Sequence, residues 1–79
     1  MARVQKKLDE STFLGRFAVR LRVLRENTGM DVYEIAEAYG FARTSFYDWE
    51  NGRRTPPLEK LPRIAAALGV SVRNLLPER

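Results

Sequence analysis

The chain contains neither cysteine nor histidine in its 79 residues. Without cysteine, neither a disulfide framework nor a thiolate metal site can form. Without histidine, the side chain most often used as a general base and as a metal ligand is gone as well. Long apolar runs are missing too. Nothing approaches the length of a bilayer span, and the first residues lack the apolar region of a signal peptide, so a soluble, intracellular protein is expected. There is no Gly-rich phosphate loop and no metal-ligand spacing, and the acids are scattered along predicted helices or paired. Enzymatic activity, a metal, a cofactor and a small-molecule ligand are therefore not expected.

What remains is small, basic and rich in arginine. Seventy-nine residues make one domain with a modest core. Fourteen Lys and Arg against ten Asp and Glu give a net charge of +4, and eleven of the fourteen cations are Arg. The guanidinium fork suits phosphate, so the bias fits a polyanionic partner; the same charge is also ordinary for a basic soluble domain.

Residues 1 to 11, MARVQKKLDES, carry mixed charge without apolar periodicity and read as a mobile arm, with Arg3, Lys6 and Lys7 available to phosphate; residues 12 to 79 read as the folded domain. From Thr12 the pattern becomes helical. Phe13, Phe17, Leu21, Leu24 and Thr28 share one face, with Arg16, Arg20 and Arg22 pointing elsewhere, and Gly29 stops the helix. Asp31 and Glu34 form a capping-box pattern for a second, short helix whose inner face is Ile35, Ala36 and Tyr39 and which ends at Gly40. A third helix runs from Ala42 or Arg43 to about Glu50 and ends at the turn dipeptide Asn51-Gly52. A fourth is expected from Leu58 to Leu68, with Leu58, Leu61, Ile64, Ala65 and Leu68 inward, and Ser71 caps a last one carrying Val72, Leu75 and Leu76. Five helices joined by tight turns, with no strand-like alternation, make an all-α fold.

Helical rotation sorts the third helix into two faces. Phe46 lies at the centre of the inner one, flanked by Ala42 and Trp49. The opposite face carries Thr44 and Asp48 at its middle, Tyr47 and Asn51 toward one edge and Ser45 toward the other, with Arg43 at its start; it serves either solvent or recognition. Glu50 falls on the inner side, where a carboxylate is costly unless paired. The same rotation places Arg25 at the edge of the first helix's apolar face, so Arg25 and Glu50 are expected to form a partly buried ion pair.

Several features now stand in order: Ile35-Ala36, then Gly40-Phe41 after three residues; the run Trp49-Glu50-Asn51-Gly52-Arg53-Arg54; Pro56; and Ile64-Ala65-Ala66-Ala67-Leu68-Gly69-Val70. In this combination the chain resembles the helix-turn-helix domains of the phage repressor and Cro type, also called the xenobiotic-response-element family, from about Phe13 to Leu76. The resemblance implies a compact five-helix lambda-repressor-like fold whose third helix, Arg43 to Glu50, enters the major groove of double-stranded DNA. It assigns base contact to Arg43, Thr44 and Asp48, the groove edge or phosphate to Ser45 and Tyr47, and backbone contact to Asn51, Arg53 and Arg54. The Arg25–Glu50 pair also has its counterpart in that family. The function implied is a sequence-specific transcriptional regulator, repressor-like, of bacterial or phage origin and acting in the cytoplasm. The alternative is a protein-interaction or antitoxin-like adaptor that keeps the fold. Three departures stand out: Val32 where many relatives have a phosphate-bracing Gln, Ala42 where many have a Ser cap, and an acid at position 48. Val70, Val72, Leu75 and Leu76 either close the core or form a homodimer contact.

Overall fold

The computed structural model describes residues 9–77. Arg3, Lys6 and Lys7, expected in a mobile arm, lie outside the described residues. The regular elements are α1 (Phe13–Thr28), α2 (Val32–Tyr39), α3 (Arg43–Glu50), α4 (Leu61–Leu68) and α5 (Val72–Leu75), with one 3-10 turn, Leu58–Lys60, ahead of α4.

The start of α1 is built from two small residues. Thr12 caps it, its hydroxyl accepting from the Gly15 N–H at 3.0 Å. The same hydroxyl donates to the Asp9 carbonyl at 2.9 Å, folding residues 9–12 back over the first turn. A Cβ on Gly15 would stand 1.8 Å from that carbonyl oxygen, so only glycine admits this approach. Downstream, Asp31 and Glu34 form the complete capping box of α2, at 2.8 and 2.9 Å. Gly40, at φ 77°, turns the chain out of α2. The following N–H, of Phe41, bonds the Ala36 carbonyl at 2.9 Å, and α3 begins within three residues.

The core is one cluster drawing on all five helices, with Phe46, Leu21, Ile35, Ile64 and Leu75 as its largest fully buried side chains. Phe41, Phe46 and Trp49 form an aromatic trio with ring centroids 5.6–5.7 Å apart.

Four expected inward positions prove otherwise. Leu58 is 81% exposed, because the fourth helix does not begin there. Pro62 has no N–H to offer the Leu58 carbonyl, and its ring would clash with that carbonyl in an α-helix. The carbonyl instead accepts from Leu61 in a 3-10 turn, and α4 starts three residues later than expected. Ala42 is exposed: as the N-cap it has extended dihedrals, so the helical rotation that put it beside Phe46 does not reach it. Phe13 and Tyr39 are exposed at 45% and 37%. Both stand on the expected face but in terminal turns, where a side chain covers only the margin of the core. Val32 fills the inward seat of α2 instead, at 3% exposure.

Candidate nucleic-acid interface

The inward side of α3 sets the position of its outward side. Phe46, Trp49 and Glu50 are all buried, and Glu50 is the one charged residue in the core among the described residues. Arg25 of α1 holds its carboxylate from both oxygens: Nε donates to Oε2 at 2.5 Å and Nη2 to Oε1 at 3.2 Å. The third donor, Nη1, goes to the Met30 carbonyl at 3.0 Å, so one guanidinium ties the end of α3 to the turn between α1 and α2. The hydrogen bond to Glu50 also raises the Arg25 pKa above the ordinary arginine value. A raised cation contributes its stabilisation below its unfolded pKa, so the Arg25 guanidinium keeps its charge throughout the neutral range.

Arg22, expected to point elsewhere, joins the clamp. Its Nη2 donates to the Glu50 backbone carbonyl at 3.3 Å and to Asn51 Oδ1 at 3.1 Å, and its Nε lies 3.7 Å from Glu50 Oε1. Asn51 in turn donates through Nδ2 to the Tyr47 carbonyl at 2.8 Å, closing the last turn of α3. Sequence reasoning missed this role. The usable signal was spacing, since Arg22 and Arg25 lie three apart and so adjoin on one helix surface.

On the outward side Arg43, Thr44 and Tyr47 are exposed, and Ser45 and Asp48 are partly so. No aliphatic side chain interrupts this face. The Arg43 guanidinium carbon lies 4.7 Å from the ring centroid of Tyr33, an exposed residue of α2. Such cation–π contacts at exposed sites contribute about 0.5–1 kcal/mol and restrict where the arginine can point. Tyr33 was not singled out in the sequence; an aromatic among the polar positions of α2 was the available signal.

Asp48 takes up both arginines that follow α3. Its Oδ1 lies 3.4 Å from Arg53 Nη1 and its Oδ2 3.7 Å from Arg54 Nε. The turn makes this possible: Gly52 adopts φ 71°, and the Arg53 N–H returns to the Asp48 carbonyl at 2.9 Å. The three charged side chains remain open to water, at 26% for Asp48, 72% for Arg53 and 68% for Arg54.

The C-terminal helix is docked on its own domain. Leu75 is fully buried, so of the two roles left open for it, core or homodimer contact, it takes the first and closes the core of this chain. Val70, Val72 and Leu76 pack against the same core while keeping part of their surface. Arg20 Nε donates to the Asn74 carbonyl at 2.6 Å and fastens α1 to α5. Among the described residues no cluster of acids is arranged to hold a metal, and no helix is long and apolar enough to cross a membrane.

A family model described as a helix-turn-helix domain matches residues 16–78. The HTH-type transcriptional regulator DdrOP3 of Deinococcus deserti is 39% identical over 57 residues, covering 72% of this chain and 44% of that protein. The uncharacterized HTH-type transcriptional regulator YobD of Bacillus subtilis is 35% identical over 60 residues, covering 76% of this chain and 54% of its own length. The chain thus spans about half the length of these curated relatives. Among solved structures, a hypothetical transcription factor, NHTF, from Neisseria superposes with a TM-score of 0.77 at 31% identity, over 95% of this chain and 86% of that one. The restriction-modification controller protein C.AhdI from Aeromonas hydrophila gives a TM-score of 0.73 at 31% identity, over 77% of this chain and 92% of its own. Five helices in this order, a buried Arg–Glu clamp behind an outward polar helix, and a match over residues 16–78 agree: the chain belongs to the helix-turn-helix family of the phage repressor and Cro type.

Proposed function

We propose that the chain is a sequence-specific DNA-binding transcription regulator, repressor-like in action, that lays α3 in the major groove and works by occupying its site. The observation that carries this reading is the two-sided character of α3. Its inner side is locked by Phe46, Trp49 and the Arg25–Glu50 clamp, and its outer side presents only polar and aromatic groups. A helix fixed from behind, with a polar outer face, meets the demand for positioned donors and acceptors in the groove. Transcriptional regulators among the relatives and a controller protein among the structural neighbours support it.

In this proposal Arg43 and Thr44 meet base edges, and Asp48 accepts from a cytosine amino group. Ser45 and Tyr47 lie at the groove edge or on phosphate. Arg53 and Arg54 grip the backbone, and Asn51 adds the second hydrogen of its amide while the first stays on Tyr47. Two copies read half-sites about 34 Å apart, meeting through the exposed margins of Val70, Val72 and Leu76. The test is a pair of variants titrated against a duplex selected from a random pool and against random-sequence DNA. Arg43→Ala is expected to lose roughly 1 to 3 kcal/mol on the selected duplex and little on random DNA. Arg53→Ala is expected to weaken both alike and flatten the salt slope. Equal losses on both duplexes for both variants would contradict the division.

A second reading is a protein-binding adaptor on the same fold. The exposed Tyr33 and Tyr47, and an acid engaging both candidate phosphate arginines, favour it. Titration with DNA at two salt concentrations separates the two, since the adaptor binds no DNA in a salt-dependent way.

A further inference from the structure

We infer that Asp48 is an intramolecular competitor of the DNA backbone, holding Arg53 and Arg54 in the free protein and so lowering affinity for duplexes that offer its carboxylate no donor. The inference rests on the DNA interface proposed above and adds to it a source of discrimination.

The arrangement is built into the chain. Asp48 gives one oxygen to each arginine, at 3.4 and 3.7 Å. The backbone bond from Arg53 N–H to Asp48 O, at 2.9 Å, and the left-handed Gly52 fix the point from which both arginines leave. Each pair alone is weak, because both arginines are more than two-thirds exposed. Their combined effect bears on the two cations best placed to reach phosphate after α3.

Binding then has two parts. Phosphates draw Arg53 and Arg54 away, which leaves the Asp48 carboxylate facing a groove of negative potential. A cytosine at the facing position returns a donor through its N4 amino group; the other bases return less or repel. Random DNA therefore pays the loss of the arginines' partner without compensation, while the operator replaces it. Asp48 raises the ratio of specific to non-specific binding by weakening the latter.

The experiment uses the full chain as wild type, Asp48→Asn, the Arg53→Ala/Arg54→Ala double variant and the combined triple variant. Each is titrated against a random-sequence duplex and against a duplex selected with the wild type, at two salt concentrations. Asp48→Asn is expected to bind the random duplex about three- to tenfold more tightly. It gains less on the selected duplex, and the magnitude of its salt slope rises by about 0.9. In the arginine-free background the gain shrinks to what relief of the repulsion between Asp48 and the phosphates supplies, and Asp48→Ala, a second variant, repeats the behaviour of Asp48→Asn. Unchanged or weaker binding of Asp48→Asn to random DNA overturns the inference, as does a gain that persists undiminished without the arginines. If wild type binds neither duplex with salt dependence, the DNA interface itself falls. Salt-dependent wild-type binding without the gain removes only the role of Asp48.

Discussion

Glu50 is the residue on which the position of α3 most depends. It is 2% exposed and satisfied by Arg25 and Arg22, so its own desolvation is offset only while both partners stay in place. Glu50→Gln keeps the shape and removes the charge. It is expected to cost roughly 3 to 5 kcal/mol by leaving guanidinium charge unpaired. In a domain this small each kcal/mol lowers the melting temperature by about 4–8 °C, so a thermal melt reads the loss directly. An unchanged melt would mean the clamp is not what holds α3. Rotation along two helices was enough to bring Arg25 and Glu50 together on paper, because both sit inside regular turns where the angle per residue is constant. The partnership of Asp48 with Arg53 and Arg54 was beyond that method. It depends on how the chain reverses at Gly52, and helical periodicity says nothing about a residue outside the helix.

At the scale of elements, the weak joint is the start of α3. Asp31, Thr12 and Ser71 cap α2, α1 and α5 with side-chain oxygens, whereas Ala42 leaves the first amides of α3 without such a partner. Its extended dihedrals, φ −75° and ψ 134°, are those an N-cap serine uses. Ala42→Ser is therefore expected to add about 1 kcal/mol of stability, seen as a higher melting temperature, with the helical content of the fold unchanged. The caps of α2 and α5 were readable as residue types, and so was the missing one, whereas Thr12 reads as the start of the helical pattern rather than as its cap. The break ahead of α4 was not read correctly, although its cause, Pro62 four residues after Leu58, lies in plain view in the sequence. Apolar spacing carries the helix back to Leu58 because it takes no account of the carbonyl that the Pro62 ring obstructs. Gly15 went unread for a different reason: its necessity comes from the Asp9 carbonyl, delivered by a turn that precedes the helix.

For the whole molecule, the order of helices and the seats of Phe46, Trp49, Ile35 and Ile64 were legible, since a small core leaves few ways to bury so many periodic apolar positions. What the last helix does was open between closing that core and pairing two chains, and burial of Leu75 assigns that residue to the core. Leu75→Ala is expected to destabilise the monomer fold by about 2–5 kcal/mol, whatever the oligomeric state. Leu58→Ala, at an 81% exposed position, is expected to stay within about 0.5 kcal/mol of wild type. Denaturant midpoints of the two variants compare these directly, and similar losses would mean that the turn before α4 is packed rather than open.

The burial of Trp49 has a practical corollary. It is the chain's single tryptophan, 3% exposed, edge-on to Phe41 and on the side of α3 turned away from Arg43 and Thr44. Its emission is therefore expected to be that of an indole in an apolar cage, shifting to the red when α3 leaves the core. A nucleic acid stacked on Tyr47 would leave that colour alone. Every variant named above can thus be sorted in a single cuvette: those that dim recognition keep the blue emission, and those that loosen the scaffold lose it.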